Sequence, residues 1–517
     1  MKQLKLSKNF SLYHFKFFLL HIERKENETV EENLVHSSLD FLKALERFTL
    51  ESKLLACQKY SSRIMTCSMV DMEKAYTENI MPWEIEAFSA YSIVYNNDDA
   101  IEELDKDTFA SMITLIRNYW HEGLSDAENN GVYHETFMMI SALQQFPVQG
   151  LILPKLFRYH YFFTFENDKL DMKKVFADKM GVNYERLEKF AFIVFMCFSK
   201  EAQDKSPQQL LKDVLTKAFG DSNVLKLITI EKDEYRNQLS ALYGENLVDQ
   251  YYGLKVQYIY PFISDGNMIY VPSPYLIINA VTESMLNRIT FQDDKLRRAF
   301  GKEVIESYLY RIISQLDTVT WVSQEIEYKV GKKKKLTSDV IAAESGKIVF
   351  YDSKAMSPSL KIRKFDEDEI KKDIEIYAGD IIQIYHQIEN FMSGYFTLDK
   401  KYERDDIYGI VVVLEDVAVS RKKVYEKVIS LLNAETSLVS EETTRYICSH
   451  IKILPLRQIE VMVLQNTSLV PSLVFQVDNP ECWYDYTYGN STVENGLIPI
   501  YEEYVNDLKT KISSEMT

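Results

Sequence analysis

The chain has 517 residues, more than one hydrophobic core ordinarily organises, so two or more domains are expected. Its 46% hydrophobic and 26% charged content excludes a disordered polypeptide. A net charge of −17 excludes a protein that gathers polyanions through its bulk field, so any such binding needs a local basic patch.

The N-terminal apolar stretch Phe17-Phe18-Leu19-Leu20 is interrupted by Lys16 and His21 and does not read as a signal peptide. The first ~240 residues read as mainly helical on periodicity. Phe41, Leu42, Leu45 and Phe48 form a stripe behind Ser37-Ser38, and Phe109, Met112, Ile113, Ile116 and Trp120 form another behind a cap at Asp107. The apolar run from Phe190 to Phe198 is about half of the ~20 residues a membrane span needs, and reads as a buried helix. His134-Glu135 lacks the second histidine of a zinc-protease helix. His14, His21, His36, His121 and His160 have no partners at ligand spacing, so ordinary structural roles are expected. The cysteines Cys57, Cys67, Cys197, Cys448 and Cys482 include no CxxC pair, which argues against a zinc ribbon or disulfide framework and for a reducing cytoplasm.

Tyr258–Phe262 and Met268–Val271 flank Ser264-Asp265-Gly266-Asn267, which predicts a β-hairpin, with a helix after Pro272-Ser273-Pro274. From about residue 295 helix and strand signals alternate. The expected organisation is therefore α+β and multidomain: residues 1–285 a mainly helical recognition or regulatory region ending in the hairpin and helix, and residues 286–517 a mixed α/β domain with a C-terminal extension.

Two β-prone runs, Leu336 to Ala343 and Ile348 to Ala355, flank the turn Ser345-Gly346. If these two residues form the loop, Glu344 opposes Lys347 and Asp339 opposes Asp352, while strand alternation puts Lys354 on the same face as Asp352. Facing carboxylates lie roughly 5 Å apart and repel. A hard cation between them would remove that cost, lower the pKa of a bound water and neutralise a phosphate under attack, with Lys354 positioning the water or stabilising the transition state. Acid-x-Lys alone is a poor signal; the apolar strand leading into Asp352 and the facing Asp339 distinguish this copy from Glu327-Tyr328-Lys329 and others.

Asp339, Asp352 and Lys354 resemble the signature of the PD-(D/E)xK, or restriction-endonuclease-like, nuclease superfamily. The resemblance covers residues 295–465 and none of the N-terminal half. It implies a restriction-endonuclease-like α/β/α domain with a mixed central sheet, and an α-β-β-β-α-β core. By that resemblance the opening helix runs through Phe300–Leu309 and brings Glu306, with Glu303 second, toward the metal. The first strand is Trp321 to Val330. Asp339 is the first acid, here after Ser338 rather than proline, and Asp352 and Lys354 are the second acid and the lysine. Gln383, with Gln387 in reserve, comes from the following helix, and Ile407–Leu414 is the last core strand. The implied ligands are Asp339, Asp352 and Glu306, and the implied cofactor is Mg²⁺, with Mn²⁺ able to substitute.

Residues 329–364 hold nine lysines and one arginine against three acids. Lys332, Lys333, Lys334 and Lys335 read as a flexible basic loop, and Lys361, Arg363 and Lys364 follow the catalytic strand; both suit contacts with nucleic acid. The expected function is a metal-dependent endonuclease acting on DNA in preference to RNA, of the kind that serves bacterial restriction or phage defence. The helical half would recognise substrate, trigger, protein partner or a second copy, and no membrane is involved. The alternative is a catalytically inactive nuclease-like module for nucleic-acid binding or assembly. No GxGxxG, GxxxxGK[ST] or GxSxG motif offers another chemistry.

Overall fold

Apolar spacing builds the helical half much as the sequence predicts. Phe109, Met112, Ile113 and Ile116 line one side of a helix over 106–116 and are at most 2% exposed. Its cap is Asp105 rather than Asp107: the Asp105 carboxylate accepts from the N–H groups of Asp107 and Thr108, each at 2.9 Å, so Asp107 is one of the capped donors. Phe41, Leu45 and Phe48 are buried together, with Leu42 on the margin. The structure, a computed structural model, describes residues 41–66, 80, 82–116, 152–200, 222–244, 250, 253, 256–363, 366–415, 417–436, 438–464, 468 and 499–516. The readings made above at Phe17–Leu20, Ser37, Ser38, Trp120, His14, His21, His36, His121 and His134 lie outside those residues. No helix among the described residues is long and apolar enough to cross a membrane.

Three elements of this half matter below: α1 (Ile152–Thr164), α2 (Tyr184–Lys200), which contains Phe190 to Phe198, and a small sheet. In that sheet β1 (Thr229–Glu231) runs parallel to β2 (Phe262–Asp265), and β2 pairs antiparallel with β3 (Met268–Tyr270). The hairpin thus exists, but its first strand begins at Phe262, because Val256–Tyr258 forms a 3₁₀ turn. A helix, α3 (Leu276–Val281), follows the proline pair as expected.

The C-terminal half contains a five-stranded mixed sheet. Its strands are β4 (Val319–Gln324), β7 (Val340–Glu344), β8 (Lys347–Lys354), β9 (Ile407–Val413) and β10 (Ile451–Pro455), in spatial order β10-β9-β8-β7-β4. β8, β9 and β10 are parallel, while β4-β7-β8 is an antiparallel meander. Three expectations are corrected here. Trp321 to Val330 is not one strand: its ladder with β7 ends at Gln324, and Glu327–Val330 (β5) turns away to pair with Lys333–Leu336 (β6). The charged β5–β6 sequences cannot enter a sheet covered on both faces, and Gly331 at φ +61° permits their tight turn. The same pairing makes Lys333, Lys334 and Lys335 part of a strand instead of a loop. Nor is β9 the last strand of the sheet, since β10 adds a buried edge beside it.

Alternation divides the sheet into two dry faces. Val340, Ala342, Val349, Tyr351, Ile410 and Leu454 point to one; Ile341, Ala343, Ile348, Phe350, Val411 and Ile453 point to the other. The second face is covered by α5 (Glu367–Met392) and α6 (Arg421–Thr436). The first is covered by α4 (Glu306–Ile313) and the helix Leu456–Leu464, and α1 packs on both of these helices, so the helical half and the sheet share one apolar cluster that crosses residue 285. A charged pair sits inside it. Arg158 Nη1 of α1 lies 3.1 Å from Glu460 Oε2, with both side chains at most 4% exposed, and Tyr308 donates to Glu460 Oε1 at 2.7 Å.

Removing one partner of a buried pair strands the other charge. Glu460→Ala is therefore expected to cost about 3–5 kcal/mol, and Glu460→Gln, which can still accept from Tyr308, distinctly less. Chemical denaturation midpoints of the two variants check this; equal losses would show that packing, not charge, dominates.

Candidate active site

The turn between β7 and β8 sets the site. Ser345 and Gly346 both adopt left-handed backbone, at φ +51° and +81°, the geometry of a two-residue hairpin whose twist matches its strands. Pairing then runs from Glu344↔Lys347 to Val340↔Tyr351. Asp339 immediately precedes β7, outside that ladder, and lies near enough to Asp352 for the Asp352 charge to raise its carboxyl. By alternation Asp352 and Lys354 belong to the face covered by α5. Asp339 is fixed from across the hairpin: the Ser353 amide and hydroxyl donate to the same Oδ2 at 2.6 and 2.7 Å.

Lys354 is held by three groups. Its Nζ lies 2.7 Å from Asp352 Oδ2 and 3.4 Å from Asp380 Oδ1, and donates to Gln383 Oε1 at 3.4 Å. Gln383 Nε2 in turn donates to Asp352 Oδ1 at 3.4 Å. Asp380 and Gln383 stand three residues apart on α5, hence on one helix face. That helix starts where Asp366 accepts from the N–H groups of Asp368 and Glu369, with three acids in its first turn. Sequence reasoning chose Gln383 and missed Asp380; the i, i+3 spacing from Gln383 was the available signal. The second Asp380 oxygen is buried with no hydrogen-bond partner among the described residues.

Glu306 completes the group from the other side. Phe300–Ile305 forms a π-helical turn directly before it, an irregularity often found at functional sites. Burial first, then the negative charge of Asp339, pushes the Glu306 carboxyl up to about 8. Burial and the facing Asp352 hold Asp339 up at about 6, against the opposing pull of the two Ser353 hydrogen bonds. Asp352 is raised by burial despite Lys354, and Asp380 is raised by burial to about 6. Lys354 is pushed above the ordinary lysine range, because Asp352 and Asp380 outweigh its own burial. Glu325, just past β4, adds negative charge toward Glu306 and Asp352 and pairs with Lys302 at 3.5 Å; neither residue was anticipated.

Several expected residues stand elsewhere. Glu303 turns toward the helical half, paired with Lys169 at 3.0 Å and accepting from Asn167 at 3.0 Å. Gln387 sits one step behind the site, where its side-chain oxygen accepts from the Ser338 hydroxyl beside Asp339. Arg363 is not an open phosphate contact: it is largely buried and bound to Glu415 at 3.1 Å. Lys361 is exposed but leans on Glu369 at 3.4 Å, Lys332 to Lys335 are exposed, and Lys364 lies outside the described residues.

Asp339, Asp352 and Glu306 offer oxygen donors of the kind Mg²⁺ and Mn²⁺ accept, and the orphaned Asp380 oxygen marks negative charge in excess of its partners. In chemical type the residues fit a divalent cation. Among the described residues no three His, Cys, Asp or Glu side chains already stand together as a ligand set, and a cation would have to draw Asp352 off Lys354. Comparisons with family models, curated proteins and solved structures find no match to the chain.

Both Asp339 and Glu306 titrate higher folded than unfolded, so the stability they contribute is full at low pH and lost as pH rises: from 3.8 through about 6 for Asp339, and from 4.5 through about 8 for Glu306. With a chelator present, the melting temperature should fall between about pH 5 and 8, and Glu306→Gln should flatten the upper part of that fall. Thermal denaturation across that range tests it; identical slopes for both proteins would show that Glu306 is not repelled by its neighbours.

Proposed function

We propose that this chain is a metal-dependent nuclease that hydrolyses phosphodiester bonds of nucleic acid, DNA in preference to RNA, with Asp339, Asp352 and Lys354 at its centre. One observation supports this above the others: half-buried Asp339, tied to Ser353, and buried Asp352 meet at the open end of one hairpin, with a lysine held by two of the site's carboxylates. Structural ion pairs do not require surplus acids, whereas a phosphoryl-transfer site does, because the reaction needs positive charge brought to the phosphate.

In this reading Asp339, Asp352 and Glu306 hold Mg²⁺ or Mn²⁺. When bound, such an ion neutralises the phosphate and lowers the pKa of the attacking water. The remaining work belongs to the chain. Ser353 locks Asp339 in place through two hydrogen bonds to one oxygen, leaving the other oxygen for coordination. Lys354, once freed from Asp352, is aimed by Asp380 and Gln383 and orients the water or stabilises charge on the phosphorus. The raised Glu306 carboxyl is the group most altered by binding, since a cation offsets the burial, and after it the Asp339 charge, that raise it. A role in restriction or phage defence accords with this chemistry, and the helical half would then supply recognition of substrate, trigger or partner.

Asp352→Ala and Lys354→Ala should each lower Mg²⁺- or Mn²⁺-dependent cleavage at least about a hundredfold while leaving nucleic-acid binding largely intact. Gel assays on plasmid, linear duplex, single-stranded DNA and RNA measure it. Cleavage that survives both substitutions removes the proposed site; binding without cleavage in the wild type supports the non-catalytic module instead.

A further inference from the structure

The β5–β6 ribbon is rigid and joined to the site. Its ladder, Glu327↔Leu336 to Val330↔Lys333, extends one further step toward Asp339, where Thr337 N–H donates to Ile326 O at 3.0 Å and Ile326 N–H to Thr337 Oγ1 at 2.9 Å. Tyr328 anchors the ribbon to the core: its ring lies 4.7 Å from that of Phe396, and Asn390 Nδ2 donates to its hydroxyl at 3.1 Å. The ribbon carries lysines that oppose each other. Lys329 pairs directly across from Lys334, and like charges so placed destabilise a sheet. Glu327 relieves Lys334 at 2.9 Å, but Lys329, Lys332, Lys333 and Lys335 are exposed and make no ion pair among the described residues. A concentration of unpaired cations on one element, in a chain of net charge −17, makes a local positive field that attracts an external anion.

We infer that this ribbon is a phosphate-binding ledge, set at fixed offset from Asp339, that grips duplex nucleic acid several base pairs from the bond being cut. The inference rests on the nuclease reading and deepens it. Lys335 and Lys333 precede Asp339 by four and six residues. At ~3.3 Å per residue these lysines reach at most about 13 and 20 Å from it. A duplex rises ~3.4 Å per base pair, so the phosphates they can meet lie within roughly four to six base pairs of the scissile one. Because Thr337 and Tyr328 tie the ribbon down, that offset is built in, and a site much closer to a duplex end on the ledge side loses some of these contacts.

The test uses the full chain and the variant Lys329→Gln/Lys333→Gln/Lys335→Gln, whose exposed positions leave the core untouched. Substrates are end-labelled DNA duplexes of graded length, with single-stranded DNA and RNA as separate arms; binding is measured on an Asp352→Ala background so that nothing is cut. Loss of three phosphate contacts should lower the slope of log affinity against log salt by about 2–3. It should also cut kcat/KM on long duplexes about 10- to 100-fold with kcat little changed, and abolish the penalty that wild type shows for cutting within about six base pairs of an end. Unchanged slope and end-dependence overturn the ledge while active wild-type cleavage leaves the nuclease reading standing. If wild type neither binds nor cuts any substrate, both fall together. Loss confined to single strands, or a change in oligomeric state, overturns the duplex assignment in favour of a single-stranded substrate or an acidic protein surface.

Discussion

Two consecutive left-handed residues at Ser345 and Gly346 fix the register on which the site depends. A hairpin slipped by one residue would send Asp339 to the opposite face of the sheet from Asp352 and turn a buried apolar row outward in its place. The apolar cover on both faces therefore defends the register, and the register holds the acids together. Positional accuracy at the carboxylates comes from the core rather than from any attraction between them, since their interaction is repulsive.

That repulsion is only partly relieved among the described residues. Lys354 is shared between Asp352 and Asp380, Glu306 is raised against Asp339, and one Asp380 oxygen is left without a partner among the described residues. A protein evolving for stability alone would replace such a group with apolar or neutral side chains, which is often stabilising. Sites that break local rules of burial and charge are where chemistry is expected.

The sequence made the centre of the site legible because a strand hairpin converts spacing into geometry: one turn residue pair and a period of two were enough to bring Asp339, Asp352 and Lys354 together. Gln383 was reachable only through family resemblance. Asp380 and Glu325 were hidden because they join through tertiary packing of α5 and the end of β4, which no local period reports. The division of Trp321 to Val330 was missed for a related reason: both pieces are β-prone, and only the exclusion of Glu327 and Lys329 from a doubly covered sheet separates them. β10 is a five-residue apolar run, too short to assign by pattern, and becomes a strand because β9 offers an open edge. The helical stripes at Phe41 and Phe109 are buried as read, in one cluster of their own, but that they pack on each other was not visible, since a stripe shows that a face is covered without showing by what.

Because α1 packs on α4 and the helix Leu456–Leu464, the two halves of the polypeptide share one apolar cluster. Expressing residues 286–517 alone would lay bare an aliphatic plane and orphan Glu460, inviting aggregation in place of an autonomous enzyme.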